Sequence, residues 1–431
     1  MDKEFLKGKK LLILAGIDVH IKVVESAKKL GVYTIVTDYL PLDESPAKQV
    51  ADEYWMLNIM DIDKIVERCK KEKIDGVLAF CVDPTQIPYQ RICEKLNVPC
   101  YGTREQFAIM TDKRLFKDFC LLHGVDVIPE YSFEDIEKGK VIYPVLVKPT
   151  ISRGSRGQTI CYSRQDIPDA VRIAQSASGD GNILIERYMS GAQDMSFSYF
   201  ITNGCAYAVK IGDRYRGKIE DGLDRQQIGR ASCREQMATI MPSKRIEEIR
   251  TGIEPQIKNM IKALGVRFGA VFLQGFYENG KVYMYDPGLR FPGSDFDVVL
   301  KNITGLDTAS SFVQFALTGK TDCCDGNPDF AYDYGGGACV IISLSVRQGT
   351  ICKFEGFDEI AALPYVYSAS KRRHIGGVVE ATGDVRQRAA EFCAYIANRN
   401  DVPAFFEKVY STIKILDENG KDMIISKVEQ L

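Results

Sequence analysis

Histidine is scarce in this chain of 431 residues: there are three, His20, His123 and His374. A His-based metal site or a Ser-His-Asp triad is therefore poorly supported. No apolar run approaches the roughly 20 residues that cross a bilayer. Met1 to Lys10 is charged and lacks the apolar stretch of a signal peptide. Cysteine is plentiful, at 13, but it lacks order. The number is odd, Cys323 and Cys324 are adjacent, and there is no C-x-x-C pair and no Cys/His zinc spacing. Free thiols and a cytoplasmic location are expected. Strong charge bias is also missing. The formal net charge is −2, so no general nucleic-acid footprint follows. Neither nucleic acid nor membrane is expected as a partner.

What is present is globular: 45% apolar and 26% charged residues. The length exceeds one ordinary core, and two to four domains are the prior. Residues 10–108 alternate apolar runs with amphipathic segments. Strands are expected at Leu11–Ala15, Thr34–Thr37, Tyr54–Leu57 and Gly76–Phe80, with helices at Ile21–Leu30, Asp61–Glu72 and Gln86–Leu96. This βαβα rhythm predicts a doubly wound parallel sheet. The first turn, A-G-I-D-V-H, has one glycine, so the G-x-G-x-x-G dinucleotide fingerprint fails. Asp18, Asp38 and Asp83 either line a crevice at the strand ends or cap those ends.

Thr111-Asp112-Lys113 opens a helix with Leu115, Phe116 and Phe119 at helical spacing. Residues 144–158 follow, a strand ending at Lys148-Pro149 and then a polar segment, Ser152 to Gln158. Gly154 and Gly157 permit φ > 0, Ser155 adds a hydroxyl, and Arg153 and Arg156 add charge. Such a loop can cradle an anion, or it can be an exposed turn. It is not a Walker A loop. A helix, Gln165–Ser176, and a strand, Asn182–Ile185, complete a small module over about 128–205. The basic stretch 212–240, with Arg214, Arg216, Lys218, Arg225, Arg230 and Arg234, is either a solvated loop or an anionic-substrate surface.

Residues 269–293 read as a hairpin about Glu278-Asn279-Gly280. A three-residue loop, 278–280, pairs Gln274 with Met284 and sets Gln274 and Asp286 on one face. A two-residue turn pairs Gln274 with Tyr285 and separates them. The first is expected, with Gly280 as the bulge residue. Farther on, helices are expected at Thr308–Leu317, Val385–Asn398 and Ala404–Ile413, and a strand at Cys339–Leu344.

The order of these features resembles the ATP-grasp superfamily, in the style of biotin carboxylase, the carbamoyl-phosphate synthase large chain and amino-acid ligases. The resemblance covers most of the chain. It implies an N-terminal doubly wound pre-ATP-grasp domain (1–108), an ATP-grasp domain (109–315) with a 128–205 lid, and a C-terminal α+β closing domain (316–431). Lys113 matches the lysine that contacts ATP phosphate, and Lys148 the lysine at the nucleotide cleft. Ser152, Gly154, Ser155, Gly157 and Gln158 match the mobile cover. Glu186, Arg187, Tyr188 and Met189 match the adenine hinge, and Asp194 the residue at the ribose. Asp286 matches a metal carboxylate, and Arg290 the arginine that stabilises the intermediate. Gln274 stands where the family usually has Glu or Asp, and Gly288 where it has Asn. One Mg²⁺ or Mn²⁺ is therefore expected rather than two. The implied reaction is ATP-dependent joining of a small carboxylate and an amine through an acyl phosphate. A bicarbonate-using carboxylase and a nucleotide-binding regulator are the alternatives. The acceptor pocket draws on Asp83, Arg214 and the turn Phe291, Pro292, Gly293, Ser294, Asp295. The resemblance also allows a homodimer.

Overall fold

The structure, a computed structural model, describes residues 3–152, 156–219, 236–321, 331–332 and 334–428. Gly154 and Ser155 of the loop, with Arg153, lie outside the described residues, as do Arg225, Arg230 and Arg234.

The N-terminal sheet is parallel, in the order Glu53–Trp55, Tyr33–Thr37, Lys10–Leu14, Gly76–Leu78. Leu11 to Leu14 are fully buried, as strands covered on both faces must be. Helix Ile21–Lys29 lays Val23, Val24 and Ala27 against them. A second sheet carries the site. Its eight antiparallel strands run in the order Lys281–Gly288, Gly269–Glu278, Gln193–Thr202, Cys205–Arg216, Gln236–Met241, Ala338–Ser345, Arg388–Ile396, Val366–Lys371. The sheet continues past residue 316, because Gln236–Met241 pairs with Ala338–Ser345. A three-stranded antiparallel sheet, Thr159–Cys161, Val145–Pro149 and Ile183–Arg187, packs on helix Ile167–Ala177. It has its own small core of Val145, Val147, Ala170, Ala174 and Ile185.

Two expectations need correction. Val385–Asn398 is not a helix; Arg388–Ile396 is a strand between two others. Ala389 to Ala394 are all buried, and a strand covered on both faces loses the alternation that marks it. The hairpin has a two-residue turn, with Glu278 opposite Lys281 and with Asn279 and Gly280 both at positive φ, the I′ geometry. A bulge at Tyr285 then shifts the pairing and sets Gln274 directly opposite Asp286. The expected shared face is reached, by a different register.

Aromatic rings join the N-terminal sheet to the large one. Phe312 meets Phe80 (5.3 Å), Tyr101 (5.5 Å), Phe268 (5.0 Å) and Phe291 (5.6 Å) between ring centroids. Phe312→Ala should cost about 3–5 kcal/mol of stability, read as a lowered urea midpoint with unchanged slope. A loss below about 1 kcal/mol would show that these rings do not bind the two sheets together.

Candidate active site

Helix Lys113–Leu122, the three-stranded sheet and the hairpin converge at one place. Asp112 caps the helix: its Oδ1 accepts from the backbone N–H of Arg114 (2.7 Å) and Leu115 (3.2 Å). Lys113 is the first helical residue and is buried. Its Nζ donates to the Ser152 carbonyl (3.1 Å) and lies 3.0 Å from Asp286 Oδ1. One ammonium thus links the start of the glycine-rich loop to the hairpin carboxylate.

One turn along, Lys117 donates to Glu186 Oε1 (2.7 Å) and to the Ile128 carbonyl (2.9 Å). Lys148 Nζ lies 2.6 Å from Glu186 Oε2. All three groups are buried. Burial alone would raise the Glu186 pKa, but Lys148 and Lys117 outweigh it and hold the carboxyl below its usual range. Burial pushes Lys148 down; Glu186 offsets part of this, and Lys113 and Lys117 add to it. Two ammoniums share the Glu186 carboxylate, and Lys117 Nζ also lies 3.3 Å from Glu130 Oε2.

Around the loop, Ser152 Oγ donates to the Arg156 carbonyl (3.0 Å). Gly157 sits at φ +73°, where an added Cβ would fall 2.5 Å from Ala177 Cβ and 2.9 Å from Pro149 Cγ. Only glycine fits there. Gln158 leads into strand Thr159–Cys161. In the hinge, Tyr188 N–H donates to the Pro144 carbonyl (3.1 Å), Arg187 pairs with Glu278, and Met189 is buried.

The Asp194 carboxylate meets Arg214 (3.1 Å), Arg216 (3.4 Å) and the Tyr285 hydroxyl (3.0 Å). Arg214 is thus held by Asp194 and Tyr285, away from Asp83 and the 291–295 turn of the expected acceptor pocket. At the opposite end Arg290 is buried, pairs with Asp83, donates to the Phe291 carbonyl (2.8 Å), and lies 5.1 Å from the Phe272 ring centroid. A Cβ on Gly288 would press on Arg290 Cγ at 3.3 Å, so the glycine leaves room for this fold-back. Beyond Arg290, Asp18 pairs with Arg372 (2.6 Å), and Asp295 with Lys22 (3.0 Å) and Ser368 (2.8 Å). Asp38 instead braces the first turn, through Gly16 N–H (2.8 Å) and Lys48 (2.6 Å).

A divalent cation can be tested against this donor set. Among the described residues no group of three or more His, Cys, Asp or Glu could hold a metal. Asp286 offers one carboxylate, about a third exposed, and Gln274, whose amide carries a neutral oxygen donor, is its direct cross-strand partner. Such a pair suits a hard cation that completes its shell with phosphate oxygens and water. Sequence reasoning missed Lys117, Tyr285 and Arg372. Lys117 was reachable, as it lies four residues from Lys113 on the same helix face. The other two depend on the bulge and on long-range packing.

Because the Glu186 pKa is depressed, its share of stability is present above the unfolded value of about 4.3 and is lost as pH falls through the lower folded value. Glu186→Gln leaves buried Lys148 without its counter-ion and Lys117 with only Glu130 (3.3 Å), and should cost about 3–5 kcal/mol at pH 7. The variant should also lose less stability than wild type on acidification. Parallel acid-unfolding curves for the two proteins would sink this assignment.

Comparison with known proteins agrees with this layout. Residues 11–87 match the PylC-like N-terminal domain, and residues 112–201 match the carbamoyl-phosphate synthase L chain ATP-binding domain. The 2-oxoglutarate carboxylase small subunit of Hydrogenobacter thermophilus is 26% identical over 237 residues, 50% of this chain and 47% of that protein. The chain spans about half or less of the curated relatives it matches. The L-amino acid ligase of Bacillus licheniformis superposes with a TM-score of 0.76 at 18% identity, over 96% of this chain and 100% of that one. The biotin carboxylase domain of the Hydrogenobacter thermophilus 2-oxoglutarate carboxylase, a dimer in complex with MgADP, ADP and bicarbonate, gives 0.72 at 16% identity, over 94% and 90%. Topology, motif order and both domain matches converge: this is a chain of ATP-grasp fold, with a PylC-like N-terminal domain ahead of a carbamoyl-phosphate-synthase-type ATP-binding domain.

Proposed function

We propose that the chain is an ATP-dependent carboxylate–amine ligase working through an acyl phosphate. The observation that carries this reading is Lys113 Nζ, set between the Ser152 carbonyl and Asp286 Oδ1. Loop, lysine and metal-type carboxylate meet there, as a polyphosphate requires. We read residues 1–108 as the N-terminal module, 109–315 as the ATP-binding body with 128–205 as its lid, and 316–431 as the closing part.

A substrate carboxylate oxygen attacks the γ-phosphorus, the bond to the β-bridging oxygen breaks, and ADP leaves. The amine nitrogen then attacks the acyl carbon, the C–O bond to phosphate breaks, and the nitrogen loses a proton. Lys113, Lys148 and loop 152–158 hold the phosphates. Glu186 acts by keeping Lys148 and Lys117 in place, while the backbone of Arg187 to Met189 faces the base. Asp194 works through Arg214 and Tyr285. Asp286 and Gln274 would hold Mg²⁺ or Mn²⁺, which when bound offsets phosphate charge. Arg290 holds the carboxylate and then the acyl phosphate. Closure of the lid keeps water from the intermediate.

The test is a screen of carboxylate–amine pairs for ADP release. Amine-dependent release supports the ligase. Bicarbonate-dependent release would favour the carboxylase reading, which the Hydrogenobacter relative supports, and binding without turnover would mark a regulator. Lys148→Ala should abolish ADP formation; an unchanged rate would remove the lysine from the site. Gln274→Glu should lower the Mg²⁺ concentration needed for half-maximal activity about tenfold, since carboxylate count tunes affinity. An unmoved Mg²⁺ titration would place Gln274 outside the metal site.

A further inference from the structure

The site face of the large sheet continues beyond the groups used above. Cross-strand partners share a face, so the registers define rows across it. Asp194 and Arg214 form the hinge row. Asp286, Gln274, Ser196 and Gly212 form the next. Gly288, Phe272, Ser198 and Lys210 form a third, about 7 Å farther along the strands. This third row adjoins Arg290, whose guanidinium lies over Phe272.

Lys210 is 3% exposed, and it makes no hydrogen bond or ion pair among the described residues. Its Nζ lies 5.7 Å from the Phe296 ring centroid. The nearby Glu391 is already shared by Arg372 (2.7 Å), Arg388 (2.9 Å) and Ser343 (3.1 Å). Directly opposite Lys210, Ser198 Oγ is buried without a partner, and so is Ser196 Oγ one row back. An unpaired buried ammonium beside unpaired hydroxyls is costly unless something is bound there.

We propose that Lys210 and Ser198 bind a second carboxylate of the acid substrate, one that is not activated. This deepens the ligase reading and rests on it. Arg290 takes the reacting carboxylate, and the apolar Phe272 ring lies under the chain between the two. One ammonium and one hydroxyl can donate to the two oxygens of a carboxylate; a phosphate monoester, with more charge and more acceptors, would need further cations. Burial, then Arg214, pushes Lys210 down to about 8, and an anion beside it would raise it again. Lys210 is three strands from the metal row's Asp286 edge and lies on the far side of that row from the hinge. This position separates it from the nucleotide phosphates.

The experiment titrates the full chain, with MgADP present, with the dicarboxylates malonate to adipate and with the matching monocarboxylates, by calorimetry. At least one dicarboxylate should bind wild type about 30-fold tighter than its monocarboxylate partner, the low end for a buried charge contact. Lys210→Met should erase that difference and leave MgADP affinity unchanged. Ser198→Ala should reduce it several-fold, and thermal melts check that both variants fold. No dicarboxylate preference in wild type, a preference that survives Lys210→Met, or tighter binding of phosphate monoesters overturns the proposal. Dicarboxylate binding without ADP release from any acid–amine pair would sink the ligase reading alone.

Discussion

Glu186 is a fully buried anion between two buried ammoniums that arrive from different parts of the fold, with Glu130 as a second, longer partner of Lys117 (3.3 Å). Lys117 comes from the helix that opens at Asp112, and Lys148 from the central lid strand. Each ion pair with Glu186 is under 3 Å and shielded from water, where Coulomb attraction is strong enough to offset much of the desolvation. The pairs fix the roll of the helix against the lid. That roll decides where Lys113 points, one turn before Lys117. Its Nζ then reaches both the Ser152 carbonyl and Asp286. The position of Lys113 depends on a carboxylate that is itself wholly buried.

The large sheet supplies the rest by alternation. Side chains at every second position face the site, and their neighbours face apolar packing. Gln274, Ser196, Ser198 and Lys210 lie on one side, while Leu273, Phe197 and Ile211 lie on the other within the main core. Strands after residue 338 add Ser343, Glu391 and Ser368 to the polar side. The C-terminal part therefore completes the site wall as part of the same sheet. Arg372 reaches from it to Asp18, in the short turn that follows the N-terminal strand Lys10–Leu14, so three stretches of the chain meet at this end of the large sheet.

Local information carried a good deal of this. The four N-terminal strands and the helices between them follow from apolar periodicity, and the Asp112 cap from side-chain chemistry. The positions of Lys113, Lys148, Asp286 and Arg290 along the chain also raise the expectation of a phosphate and carboxylate site, and we propose that reading. Signals of this kind reach only a few residues. Where burial covered both faces, as at Arg388–Ile396, the alternation vanished and a strand read as a helix.

By itself the sequence determined which elements form and which charged groups are available for chemistry. Tertiary structure alone decided their partners. The Tyr285 bulge, not the turn, sets Gln274 against Asp286. Asp194 is held by Arg214 and Tyr285, and Glu186 by two lysines far from it in the chain. The physical reason is that a buried charge must find a counter-charge in space. Which one it finds depends on strand register and helix roll, and these are settled by packing across the whole fold.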